Sequence, residues 1–271
     1  MTPGNERAGV GSTRVSVVVP CHNYGAYLGE AVASVERQTR SADQLVVVDD
    51  GSTDDSPAVI AGLQSRLPEL VVVRRSPARG AAATFNDAVR ASDGDLVVIL
   101  SADDRLSEHY LERMEHALAD PGISFAYADA HLFGAEERVL AAAPFSRREL
   151  ARGNFVNGSA MFRRSMFDAV GGFKADLEWE DWEFWLHAVE LGAEGRAVDG
   201  CWLEYRRHAA GSRDTMTRWD ALQRHWLLRR LHPSAMRRSD IAVWLGRSLA
   251  RRAGLVARPR RSAVGVGGVR P

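Results

Sequence analysis

The chain has 271 residues, 45% hydrophobic and 26% charged, which excludes a fibrous or wholly disordered protein and allows one large domain with an appendage. Its 35 basic and 35 acidic residues cancel, so it lacks the global positive charge of a nucleic-acid binder, and two cysteines, Cys21 and Cys201, give neither a disulfide framework nor a zinc-finger spacing. No apolar run is long enough to span a bilayer and residues 1–13 lack a signal peptide's apolar core, so a reducing cytoplasm is the expected compartment.

Val15 to Val19 is a β-branched apolar run ending at Pro20, which predicts a buried strand. Asn23 is placed to cap the next helix, where Tyr27, Leu28, Ala31, Val32 and Val35 recur at helical spacing. Leu45 to Val48 predicts a second strand, Pro57 to Leu67 a helix and Val71 to Val73 a third strand. Ala81 to Ala91 follows as a helix and Leu96 to Leu100 as a fourth strand. This alternation implies an α/β fold with a mostly parallel sheet, flanking helices and right-handed crossovers. Further on, Glu108 to Ala119 reads as helix, Ser124 to Ala128 as strand, 134–153 as loop with a short helix, and Ser159 to Phe162 as strand. Gly171-Gly172 breaks the following helix, Asp181 to Leu191 is helical, and Gly200 to Tyr205 is the last strand. The chain beyond Thr215 reads as helical and Arg-rich until its periodicity fades at Arg258.

Chemistry concentrates at strand ends. Asp103-Asp104 closes the fourth strand, where open α/β sheets bind ligands. Adjacent carboxylates need a cation or donors nearby, and hard oxygen ligands suit Mg²⁺ or Mn²⁺. A solvated turn before the helix near Ser107 is the plainer account of Asp-Asp alone. Asp49-Asp50-Gly51-Ser52-Thr53-Asp54 closes the second strand. Asp50 can accept a base N–H there, or the stretch is a capped strand-to-helix turn. Arg79-Gly80 starts an Ala-rich helix containing Asn86, a setting suited to phosphate or base contact and also common on ordinary surfaces.

Between Glu178 and Trp185, four acids alternate with four aromatics. A carboxylate beside indoles, here Glu180-Asp181, is suited to general-base work, and aromatic faces such as Trp179 and Trp182 pack sugar rings. The alternative makes the tryptophans core and Asp181 a helix-start charge. His208 follows the last strand, where it is either a metal ligand or a surface residue.

In order, these elements resemble the family 2 glycosyltransferases of GT-A fold from about Val15 to Ser212. The matching stretches are Val15 to Asn23, Val47 to Asp54, Ser101-Ala102-Asp103-Asp104, Val170-Gly171-Gly172-Phe173, Glu180-Asp181-Trp182 and Tyr205-Arg206-Arg207-His208. The resemblance implies an inverting enzyme using a nucleoside-diphosphate sugar, UDP- or dTDP-linked, with Mn²⁺ or Mg²⁺. Its acceptor would be a hydroxyl on a glycan, a lipid-linked sugar or a small molecule, in cell-surface polysaccharide, glycolipid or natural-product synthesis. It implies that Asp50 contacts the base, with Pro20, Asn23, Asp49, Arg79 and Asp103 around the donor. It further implies that Asp103, Asp104 and His208 hold the metal, that Asp181 beside Glu180 is the general base, and that Trp179 and Trp182 meet the acceptor. Ser101 stands where the family's motif often begins with Asp, and Ala78-Arg79-Gly80 where it often reads Asn-x-Gly.

On this basis 14–106 is the nucleotide-binding half and 107–215 the acceptor half of one domain. Residues 216–257 form a helical extension, and 1–13 and 258–271 are disordered. A non-catalytic nucleotide-sugar or glycan-binding module is the main alternative. A sugar nucleotidyltransferase is disfavoured because Pro20 to Gly25 lacks Arg and Lys. Residues 216–271 hold 13 Arg against 2 Asp, a net +11 that leaves −11 on residues 1–215. A helical pair packed on an acidic domain accounts for 216–245, and peripheral contact with the inner face of an anionic membrane stays open for 246–271.

Overall fold

In the computed structural model, residues 13–174, 177, 179–209 and 217–252 are described. Residues 1–12, 175, 176, 178, 210–216 and 253–271 lie outside them, which takes in the stretch 258–271 and all but Thr13 of the stretch 1–13 expected to be disordered. Strand β1 (Val15–Cys21) occupies the middle of the parallel half of the sheet, with β2 (Gln44–Asp50) on one side and β4 (Leu96–Ile99) on the other. β3 (Val71–Arg75) extends β2 in parallel. β-branched residues suit this pleated, doubly covered position. Val15, Val17 and Val19 pack toward α1 (Gly25–Glu36), α2 (Ser56–Arg66) and α4 (Tyr110–Leu118). Val18 packs toward α3 (Ala81–Ala91) and the helices of the second half.

That second half mixes directions. The full strand order is β3-β2-β1-β4-β8-β6-β9-β5, with β7 beside β6. β8 (Met161–Arg163) runs antiparallel to both β4 and β6 (Phe125–Gly134). β6 pairs in parallel with β9 (Gly195–Arg207), and the short β5 (Arg105–Leu106) closes the edge antiparallel to β9. The register jumps from Ala128↔Val198 to Asp129↔Trp202, so Asp199 to Cys201 stand out of the ladder, with Gly200 at φ 78°. The expected strand began at Gly200, inside that bulge; β9 starts earlier, at Gly195, and ends at Arg207. β6 likewise runs past Ala128, with β7 (Arg138–Leu140) and α5 (Arg147–Leu150) inside the stretch expected to be loop and short helix.

α6 (Arg164–Val170) stops where Gly171 takes φ 83°, a left-handed cap open to glycine at little cost. The next residues are tied to α3: Asn86 donates from Nδ2 to the Phe173 carbonyl and accepts the Phe173 N–H, each at 2.8 Å. This leads into α7 (Glu180–Glu190), whose Trp182, Phe184, Trp185 and Leu186 are buried against the sheet.

The extension packs as a helical pair, α8 (Arg218–Leu231) and α9 (Arg238–Arg252). Thr217 and Asp220 form a reciprocal capping box at the start of α8. Leu228, Met236 and Ile241 are buried, Arg152 pairs with Asp240 at 3.2 Å, and Arg247 pairs with Glu149 at 2.6 Å. His232 is buried between two carboxylates, with Nε2 2.8 Å from Glu183 and Nδ1 2.7 Å from Glu190. Burial opposes a charged ring, but the two carboxylates outweigh it and raise its pKa.

Candidate active site

A cleft of 790 Å³ opens at the carboxyl ends of β1, β2 and β4, lined by Pro20, Asp50, Ser101, Asp103, Glu180 and His208 among others. The sheet direction dictates this place: parallel strands deliver their C-terminal turns to one edge, and the ligand crevice lies there.

On the β2 side, Asp50 is buried and both its oxygens are engaged. They accept the backbone N–H groups of Arg79 and Gly80, the latter at 2.8 Å, and Arg75 lies 3.3 Å away. Burial pushes the carboxyl up, but these donors win and hold it below the usual carboxylate range. Asp50 therefore shapes the loop at 78–80 that forms one wall. Gly51 serves the same approach: at φ 68°, a Cβ there would stand 2.9 Å from the Ala78 nitrogen. Arg79 contributes its backbone to this wall, while its exposed guanidinium lies 3.7 Å from Asp87.

Asn23 does not cap α1. It sits at φ 59°, and its Oδ1 accepts the Thr53 N–H at 2.7 Å, while the first N–H of α1, Gly25, goes to Asp54 at 3.0 Å. Asn23 and Asp54 thus cap each other's turns, locking the β1 and β2 ends together. Asp49 is also internal, accepting the Ser52 N–H at 3.0 Å.

On the β4 side the two aspartates diverge. His208 Nε2 lies 2.8 Å from Asp103 Oδ2. Buried Asp104 instead accepts the Arg206 N–H at 2.8 Å, which fastens the end of β9 to the β4 turn. Tyr24 and Tyr27 stand beside His208, with ring centroids 6.0 and 5.4 Å away. Burial raises the Tyr24 pKa, and the charges of Asp103 and Asp104 raise it further. Among the described residues no group of three or more His, Cys, Asp or Glu side chains is arranged to hold a metal unaided. Asp103 and His208 supply an oxygen and a nitrogen donor that already meet. That pair could supply part of a Mn²⁺ or Mg²⁺ shell, the rest coming from ligand oxygens and water.

On the α7 side, Glu180 lines the cleft, while Asp181 accepts the Asn154 amide at 2.9 Å beside the loop after α5. Trp182 is not a sugar platform: it is 3% exposed and donates its indole N–H to the Leu150 carbonyl at 2.8 Å. Trp179 is half-buried beneath the Arg224 guanidinium, 4.7 Å from its ring centre. Both tryptophans were expected at the acceptor; Trp182 is instead buried in the core, while Trp179 keeps a partly exposed ring.

The family model described as "Glycosyl transferase family 2" matches residues 16–175, well over half of the 271. The chain belongs to that family. Within it, a Nostoc uncharacterized glycosyltransferase, alr2836, is 39% identical over 101 residues, covering 37% of this chain and 31% of that one. The Rhizobium meliloti succinoglycan biosynthesis protein ExoU is 29% identical over 211 residues, covering 70% of this chain and 60% of its own length. The chain thus spans less than two thirds of either relative. S. aureus TarS (residues 1–349), solved with UDP-GlcNAc, superposes with TM-score 0.69 at 17% identity, covering 89% of this chain and 73% of that one. The Pyrobaculum calidifontis mannosyltransferase PcManGT, solved with GDP-Man and Mn²⁺, gives TM-score 0.62 at 21% identity, with 88% and 75% covered. At these identities the two structures show a shared GT-A-type fold.

Sequence reasoning in this family 2 chain missed four residues that build the cleft. Arg75 is the register partner of Asp50, so a cation ending β3 beside an Asp-rich turn was a readable signal. Tyr24, Tyr27 and Arg206 were not readable, because their neighbours are distant in sequence.

Proposed function

We propose that the chain is an inverting glycosyltransferase moving a sugar from a nucleoside-diphosphate sugar to an acceptor hydroxyl in polysaccharide or glycolipid synthesis. The meeting of Asp103 and His208 in the same cleft as the Asp50-held loop is the observation that carries this reading. A nucleoside would lie between the β1 end and the 78–80 loop, with its diphosphate toward Asp103. A divalent cation held by Asp103 and His208 would supply counter-charge to the departing diphosphate.

The general base in this reading is Asp181, on the first turn of α7 with its carboxylate accepting from the Asn154 amide. It takes the acceptor's proton as that oxygen attacks the anomeric carbon from the face opposite the diphosphate. Glu180, nearer the donor, orients the sugar. The Rhizobium relative's name supports a glycan acceptor, and the ligands of the two structural neighbours support a nucleotide-sugar donor.

Asp181→Asn tests the assignment. Turnover falls by about 100-fold or more while donor binding stays within about twofold, since general-base catalysis contributes on that scale. Unchanged turnover removes Asp181 as the base. The same loss in Glu180→Gln with Asp181→Asn active moves the role to Glu180.

A further inference from the structure

α8 has apolar side chains on two faces. The inward face, with Leu228 and His225, is buried on the catalytic domain. The outward face carries Trp219, 65% exposed, and Trp226, 47% exposed, with Leu227 and Leu231 beside them. At 100° per residue, Trp219, Trp226 and Arg230 point the same way, opposite Leu228. Trp226, Leu227, Arg229, Arg230 and Pro233 line a groove of 510 Å³. Arg229 Nε is buried without a hydrogen-bond partner.

Large exposed indoles rimmed by arginines mark an interaction surface rather than plain solvent contact. We propose that this outward face of α8 docks on an anionic lipid bilayer, with Trp219 and Trp226 at the headgroup boundary and Arg229 and Arg230 on lipid phosphates. Charge selects this occupant: residues 216–271 carry 13 Arg against 2 Asp. A second copy meeting it face to face would bring the same positive charge and be repelled, whereas anionic headgroups attract it. Indoles favour the interface because one end is apolar and the other donates a hydrogen bond. The packing leaves this face available, since the helix is anchored from its other side by His225 and Leu228. Among the described residues no helix is long and apolar enough to cross a membrane, so the contact lies along the surface.

Co-sedimentation of the full-length chain tests this. Vesicles of equal parts phosphatidylglycerol and phosphatidylcholine bind it at least about tenfold more tightly than phosphatidylcholine alone. Trp219→Ser with Trp226→Ser weakens that binding by about tenfold or more, and Arg230→Gln by about fivefold, with melting temperatures unchanged because these side chains are exposed. Three results overturn the proposal. They are no vesicle binding at low salt, which leaves an acidic protein as the partner; binding undiminished in both variants, which moves it elsewhere on the chain; and wild-type dimers that the Trp variant dissolves. The readout needs no turnover, so it stands or falls apart from the reaction proposed above.

Discussion

His208 Nε2 lies 2.8 Å from Asp103 Oδ2, although 105 residues separate them in the chain. The long β9 carries His208 back across the sheet edge, and the Asp104 carboxylate on the Arg206 N–H holds that return in place. The neighbouring acids are thus held differently, Asp103 against His208 and Asp104 by the Arg206 N–H.

That division predicts different outcomes for two isosteric changes. Asp103→Asn abolishes any Mn²⁺-dependent rise in melting temperature with a nucleoside diphosphate and leaves the unliganded protein close to wild type. Asp104→Asn lowers the stability of the unliganded protein by about 1–3 kcal/mol, the cost of weakening a buried charge-assisted hydrogen bond. Thermal melts with and without ligand separate the two, and equal effects on stability would contradict the assignment.

Asp50 and Arg75 form an ion pair at 3.3 Å with side chains 4% and 7% exposed. Asp50→Asn leaves the guanidinium with Asp87 as its remaining carboxylate and destabilises by about 2–4 kcal/mol. Because folding lowers the Asp50 pKa, its contribution is full above about pH 4 and drains as pH falls through the lower folded value. Urea melts at pH 5 and about pH 3 should show the wild type losing more stability than the variant.

The His232 clasp has the opposite sign. Its raised pKa makes its contribution full below about pH 6.5, and that contribution is lost as pH rises through the folded value. Glu183 and Glu190 face it from α7, Lys174 reaches Glu183, and His187 lies 5.5 Å away ring to ring, its own pKa lowered chiefly by burial. Burial works against both glutamates, but their partners hold them low, so their share drains on the acid side. Melting temperature should therefore fall from about pH 6.5 upward in the wild type, and His232→Gln should flatten that slope. A slope preserved in His232→Gln would assign the effect to another group.

Trp182→Ala should cost about 3–5 kcal/mol, as truncation of a buried aromatic does. A variant of wild-type stability with a raised acceptor KM would instead restore Trp182 to the acceptor site.

The nucleotide-binding half was legible because β1 to β4 are buried runs whose ends carry their own turn chemistry. Val15 to Val19 and Leu96 to Leu100 stand within a residue or two of the strands observed. The second half was less so. β9 is interrupted by Gly200, and pairing with β6 rather than local propensity makes Gly195 to Val198 a strand. In the cleft, residue types announced Asp50, Asp103, Glu180 and His208, but not which oxygen faces inward. Asn23 reads as a cap in sequence, yet it caps a turn some thirty residues on. For Trp182 the sequence favours core over sugar platform, and the ring is buried against Leu150 and α8.

The most direct test is calorimetric titration of the unliganded protein with UDP, dTDP, GDP and CDP, each with and without Mn²⁺. One nucleoside diphosphate should bind, about tenfold or more tightly with Mn²⁺, and His208→Ala should remove that metal dependence. A folded sample that binds none of the four, with or without Mn²⁺, would contradict the proposed donor site.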